Sequence, residues 1–148
     1  KISNVQNIGC SLWSSEKLSI LRDTLADSEK THKFSILNSS NIVKGTDQAK
    51  AFCKQNNIEP KFIGDSDYKM FMKQLSESEH LIFFPQVLET YSRLIAEAKM
   101  LNCKVVTTPK MSGFFSEKYS NLAGSALIDK IESQINKALP AFKRSILE

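Results

Sequence analysis

Apolar positions recur along the chain in two alternating rhythms, one with helical spacing and one in short runs. Leu18, Leu21 and Leu25, with Arg22 among them, line one side of a helix that Ser14 or Ser15 can cap, ending before the polar stretch Asp27 to His32. Lys33 to Leu37 reads as a first core strand. Asn38 to Asn41 is a polar loop, and a helix from about Lys44 to Asn56 buries Ala49, Phe52 and Cys53. Pro60 to Gly64 is a second short strand. Asp65 or Ser66 then caps a helix with Tyr68, Phe71, Met72 and Leu75 on one side, ending near Glu79. The unbroken run Leu81-Ile82-Phe83-Phe84 suits a strand over His80 to Phe84 that is covered on both faces, and Pro85 stops it. A helix from about Thr90 to Leu101 buries Leu94, Ile95, Ala98 and Leu101, with Asn102 where a left-handed helix-ending residue is expected. Lys104 to Thr108 is a fourth strand. After a loop-like stretch to Gly124, a last amphipathic helix carries Leu127, Ile128, Ile131, Ile135 and Leu139, with Pro140 as a kink or break. Val5 to Leu12 reads either as a short strand or as an extended connector.

Strands alternating with helices of these lengths make parallel βαβ units. The expected fold is therefore α/β, a Rossmann-like three-layer open parallel sheet of about four to five strands. Ligands of such sheets bind at the carboxyl ends of the strands. That directs attention to Asn38 to Gly45, Gly64 to Asp67, Pro85 to Ser92 and Pro109 to Phe115.

Composition narrows the classes. With 148 residues, 41% of them apolar, the chain fits one compact domain, and no apolar run approaches the roughly 20 residues of a membrane span. Neither a signal peptide nor a spanning segment is evident, so a cytoplasmic protein is expected, with the inner membrane surface as a place of peripheral association. The net charge of +4 is mild and the lysines are scattered, which gives no support to a nucleic-acid surface; it suits a diphosphate ligand or a peripheral contact with an anionic membrane. Cys10, Cys53 and Cys103 lie far apart, without the paired spacing of a zinc or redox site, and read as reduced structural thiols. The first residue is Lys1 rather than Met, so the chain is read as a piece of a longer protein.

The chemistry concentrates after the third strand. Glu89 and Glu97 stand eight positions apart, Glu89 in the loop before the helix and Glu97 two turns inside it, a separation of up to about 12 Å at 1.5 Å per residue. A nucleotide sugar has hydroxyls at both ends and a diphosphate between them, and carboxylates accept well from paired hydroxyls. The free N–H groups around Thr90, Tyr91, Ser92 and Arg93, together with the helix dipole, favour an anion in the middle. Arg93 either contacts phosphate or pairs with an acidic neighbour. Tyr91 either packs or lines the pocket. His80 reads as structural, and Trp13, Phe114 and Phe115 as packing or interdomain contacts.

The sequence strand, Pro85, Glu89, helix, Glu97-Ala98, then Val105-Val106-Thr107 resembles the donor-binding domain of retaining GT-B glycosyltransferases of the group 1, family-4-like kind. Lys44-Gly45 stands where that family has a Lys-Gly after its first core strand. The resemblance covers roughly residues 33 to 124. It implies that Lys44 contacts the donor diphosphate, that Glu89 contacts the donor sugar and Glu97 the ribose, and that Lys44 and Glu89 are the catalytic pair. Asn38, Gly45 and Gly64, with Thr90, Tyr91, Ser92 and Arg93, complete the implied donor site. It further implies residues 1–32 as a helix and connector from an acceptor-binding N-terminal domain, residues 33–148 as the nucleotide-sugar domain, and neither metal nor other cofactor. The sequence departs from the pattern in four places, one of them Asn102, which stands where the family has a glycine near the end of the helix. Asn38 stands where many members have an arginine, Thr90-Tyr91-Ser92 replaces a glycine-containing stretch, and only about one βα unit separates the Lys-Gly helix from the glutamate strand.

The expected function is transfer of a glycosyl group, hexosyltransferase-like, from a nucleotide diphosphate sugar to an acceptor hydroxyl. The alternative is a non-catalytic Rossmann-like module that binds a nucleotide or a protein. A phosphoacceptor receiver domain ranks last, because Asn38, Ser39 and Ser40 stand where its acidic cluster belongs.

Overall fold

In the computed structural model, which describes the backbone of residues 9–147 and the side chains of residues 9–138 and 140, four strands form one all-parallel sheet. The elements run α1 (Ser15–Ala26), β1 (His32–Leu37), α2 (Thr46–Gln55), β2 (Lys61–Ile63), α3 (Tyr68–Ser76), β3 (Ser78–Ile82), α4 (Arg93–Met100), β4 (Lys104–Val106) and α5 (Gly124–Leu147). The sheet order is β2-β1-β3-β4. Register pairs Ile36 with Phe62 on one side and with Ile82 on the other, and Ile82 with Val106. This is the expected Rossmann-like open α/β fold.

The run Leu81-Ile82-Phe83-Phe84 divides as the pleat demands. Leu81 and Phe83 enter the larger core beneath α1, α3, α4 and α5, while Ile82 joins Ile36, Ala49 and Cys53 under α2, with Phe84 packed beside them. Burying one such aliphatic side chain stabilises the fold by about 1.5–3 kcal/mol. Within residues 9–32, Trp13, Leu18 and Leu21 belong to the same core as Leu81 and Ile95. Arg22 sits in the stripe of α1 because its guanidinium bridges to α5, at 2.7 Å from Asp129 Oδ1 and 2.8 Å from Glu132 Oε2.

Several boundaries differ from expectation, each for a local reason. Asp67, not Asp65 or Ser66, caps α3, accepting from Met70 N at 2.8 Å. β3 starts two residues before His80, because its first residue, Ser78, pairs with His32. The first helix after β1 starts at Thr46 rather than Lys44; Lys44 ends a short 3-10 turn, Ile42–Lys44, and Gly45 breaks it with φ 68°. Two further 3-10 turns, Pro109–Met111 and Gly113–Ser116, occupy the stretch expected to be loop-like. α5 continues through Pro140. Asn102 ends α4 in the left-handed region, φ 53°, as expected. The expected strand or connector at Val5 to Leu12 lies outside the described residues up to residue 8, and residues 9–12 form no strand. The side chain expected from Leu139 in the last stripe also lies outside the described residues.

Candidate functional site

The crossover direction reverses at β1: the chain leaves it for β2 on one side and returns for β3 on the other. The carboxyl ends of β1 and β3 therefore face a crevice where open parallel sheets take ligands. Three loops meet there and are joined by backbone hydrogen bonds. Gln86 N donates to Val43 O at 2.9 Å, tying the loop after β3 to the loop after β1. Glu89 N donates to Met111 O at 3.0 Å and Gly113 N to Glu89 O at 2.9 Å, tying the loop after β3 to that after β4. With both its backbone groups paired in this way, Glu89 cannot enter a helix. That is why α4 starts at Arg93 and not at Thr90.

The tight approach requires glycine at two places. A Cβ on Gly45 would stand 1.8 Å from Phe84 O, and one on Gly113 2.0 Å from Thr90 O. Gly45 therefore shapes the turn beneath the site instead of lining it.

What the stitched loops bring together is Lys44 and Glu89. Lys44 Nζ lies 2.9 Å from Glu89 Oε1, with side-chain exposures of 38% and 17%. The pair opens on a cleft of about 430 Å³ whose lining includes Thr90, Tyr91, Ser92 and Arg93. Six of the ten expected site residues thus share one cavity. At the tip of α4, Ser92 is 1% exposed, its backbone N donates to Ser112 Oγ at 3.4 Å, and its own Oγ is buried with no hydrogen-bond partner. A buried hydroxyl without a partner is uncommon. The N–H groups of Arg93, Leu94 and Ile95 are the orphan donors of this helix, since the first internal bond of α4 runs from Ala96 N to Ser92 O.

Tyr91 resolves toward both of its readings. Its ring lines the cleft and packs edge-on against Trp13 and Phe114, and its hydroxyl lies 3.3 Å from that of Tyr119. Burial raises the pKa of Tyr91 well above the ordinary tyrosine value, so the hydroxyl stays neutral.

Four expected residues lie elsewhere. Gly45 is the structural turn just described. Asn38 lines a second, polar cavity of about 450 Å³ at the start of α2, with Ser39, Asn41 and Thr46. Gly64 sits beside Asn38, where an added Cβ would stand 3.1 Å from the Asn38 carbonyl oxygen, and its N–H donates to Gln74 Oε1 at 2.9 Å. Glu97 is turned into the protein, with its side chain 7% exposed. Its Oε1 accepts from Trp13 Nε1 and from the Tyr68 hydroxyl, both at 2.9 Å, and from Arg93 Nη2 at 3.4 Å. The expectation that Glu97 shares an open cleft with Glu89 is corrected. Helical periodicity sends residue 97 inward beside Ile95 and Ala98, and two neutral donors satisfy it there. Its partners Trp13 and Tyr68 lie 84 and 29 positions away, and no local motif links them to it.

His80 is structural, with its ring against Phe34 and Nδ1 3.3 Å from Lys33 O. All three cysteines are buried and free, and burial pushes the Cys103 thiol up to about 11. Among the described residues there is no cluster of three His, Cys, Asp or Glu side chains that could hold a metal ion, and no helix long and apolar enough to cross a membrane. Comparison with family models, with characterised proteins and with solved structures finds no match to this chain.

Proposed function

We propose that this domain binds a nucleotide diphosphate sugar at the edge formed by Lys44, Glu89 and the tip of α4, as the donor half of a retaining glycosyltransferase. The observation that carries this reading is the 2.9 Å contact between Lys44 and Glu89 at the switch point of the sheet, next to a helix tip with an unpartnered buried hydroxyl. An ammonium and the orphan N–H groups at the tip of α4 together form a receptor for a phosphate group. A half-exposed ion pair contributes only up to about 1 kcal/mol, so an incoming diphosphate can displace Glu89 from Lys44. The carboxylate then turns to the sugar hydroxyls that arrive with the phosphate.

The chemistry is electrostatic. As the bond between the anomeric carbon and the β-phosphate oxygen breaks, negative charge builds on the phosphate, and Lys44 and the helix tip interact with it more strongly than in the ground state. Glu89 orients the sugar. The acceptor substrate, held by an acceptor-binding domain, supplies the hydroxyl that takes the glycosyl group and gives up its proton as the nucleoside diphosphate leaves.

A second reading, a nucleotide-binding module without catalysis, is favoured by the inward placement of Glu97, which leaves one carboxylate rather than two at the cleft. Calorimetry with UDP, GDP, ADP and their sugars tests the first reading: binding by at least one, weakened at least tenfold in K44A, is expected. No binding by any of them at millimolar concentration contradicts it. Binding without release of the nucleoside diphosphate, when an acceptor-binding half is present, favours the second.

A further inference from the structure

A diphosphate brings two or more negative charges, and the proposed receptor has so far matched them with one ammonium already shared with Glu89. The lining of the cleft holds one more cation among the described residues, Arg93. It is the first residue of α4, directly after Ser92, and its side chain is 39% exposed. The guanidinium is held from behind on two sides: it lies 4.9 Å over the ring of Trp13, and Nη2 reaches Glu97 Oε1 at 3.4 Å. Among the described residues it makes that one hydrogen bond, so most of its five N–H donors point at no protein acceptor.

The grip on Arg93 is itself anchored. Glu97 cannot follow the guanidinium outward, because Trp13 Nε1 and the Tyr68 hydroxyl hold the same carboxylate oxygen at 2.9 Å. Trp13 is buried at 4% exposure and fixed in the core. A planar guanidinium that lies over an indole and is tethered through one edge keeps its remaining donors preorganised for a bidentate anion.

Resting on the donor-site reading above, we infer that Arg93 is the second cation of the diphosphate site, and that Glu97 is a positioning residue that acts through Arg93 rather than a ribose ligand. Lys44 approaches the anion from the β1 loop and Arg93 from the tip of α4, so the phosphates lie between them. Glu97 serves the ligand without touching it.

The test is calorimetry of the full chain with inorganic pyrophosphate, which removes base and sugar from the question. Wild type should bind, K44A should bind at least tenfold more weakly, and R93Q should lose about 10- to 30-fold. R93K, which keeps the charge without the planar fork, should recover only part of that loss. E97Q keeps acceptors for Trp13 and Tyr68 and should weaken binding about three- to fivefold in the wild-type background but have no effect in R93Q, because its influence passes through the arginine. Y68F, which removes one anchor of Glu97 outside the cleft, should behave like a milder E97Q and serves if E97Q fails to fold. An equal decrement for E97Q with and without Arg93, or tighter binding on removal of the Glu97 charge, would overturn the positioning role. Loss of binding in K44A with full binding in R93Q overturns the assignment of Arg93 alone. No pyrophosphate binding by wild type overturns the assignment together with the donor-site reading it rests on.

Discussion

Glu89 and Glu97 belong to one short segment, and each meets a cation through a single oxygen, yet they occupy different media. Glu89 stands at the edge of the sheet, fixed by its backbone to the loop after β4, with its carboxylate partly open and one half-exposed lysine as partner. Glu97 stands inside, with three donors converging on one oxygen and the side chain nearly closed off from solvent. The first arrangement is exchangeable, because water or a ligand can replace either partner at small cost. The second is not, since removing the carboxylate strands an indole N–H and a phenol in a low-dielectric interior. Two glutamates eight positions apart, one in a loop and one in α4, thus divide into an adaptable edge and a fixed anchor, and the divide is made by burial.

The largest expected effect tests the anchor. E97A should lower the unfolding free energy by about 3 kcal/mol in a urea titration, because several donors lose their acceptor at once. A loss below about 1 kcal/mol would erase the contrast between the two glutamates. Next comes the turn that brings the edge together. G45A forces a Cβ to within 1.8 Å of Phe84 O and a left-handed φ on alanine, and should destabilise by about 2 kcal/mol while weakening nucleotide binding as Lys44 moves from Glu89. E89A should change stability by less than about 1 kcal/mol, in line with a half-exposed ion pair, yet lower the affinity for a sugar nucleotide more than for the bare nucleoside diphosphate.

The smallest effect concerns pH and lies far from the edge. His32 is half-buried, with Nε2 2.7 Å from Ser78 Oγ, and burial, aided by the nearby charge of Lys61, holds its pKa below the ordinary 6.5. The unfolded chain therefore takes a proton first as pH falls. The stabilisation is fully present above pH 6.5 and is lost as pH drops through the folded value. Melting curves above and below pH 6.5 should show a modest acid loss that H32Q lacks.

The order of strands and helices was legible in the sequence because each core strand reads as a compact apolar run and each helix carries one buried stripe. The Leu81 to Phe84 run announced a strand covered on both faces, and Asn102 announced the end of α4. The start of α4 was not legible, since it depends on Glu89 spending its backbone groups on Met111 and Gly113, which a local pattern cannot reveal. Lys44 and Glu89 could be picked out as candidates, but their contact depends on Gly45 packing against Phe84. The inward turn of Glu97 was hidden for a related reason: a glutamate on a helix reads as a surface residue unless its donors are known, and Trp13 and Tyr68 come from other elements.

The edge made by Lys44, Glu89 and the tip of α4 is proposed above as a receptor for a diphosphate. Two-dimensional amide NMR of the chain titrated with UDP, GDP and ADP tests it most directly, because it reports where a ligand sits. With at least one of them, the amides of Gly45 and of Thr90 to Ile95 should shift together and saturably, while those around Glu97's partners Trp13 and Tyr68 move little. Shifts confined to the polar cavity of Asn38 and Ser39, or none at saturating nucleotide, would contradict it.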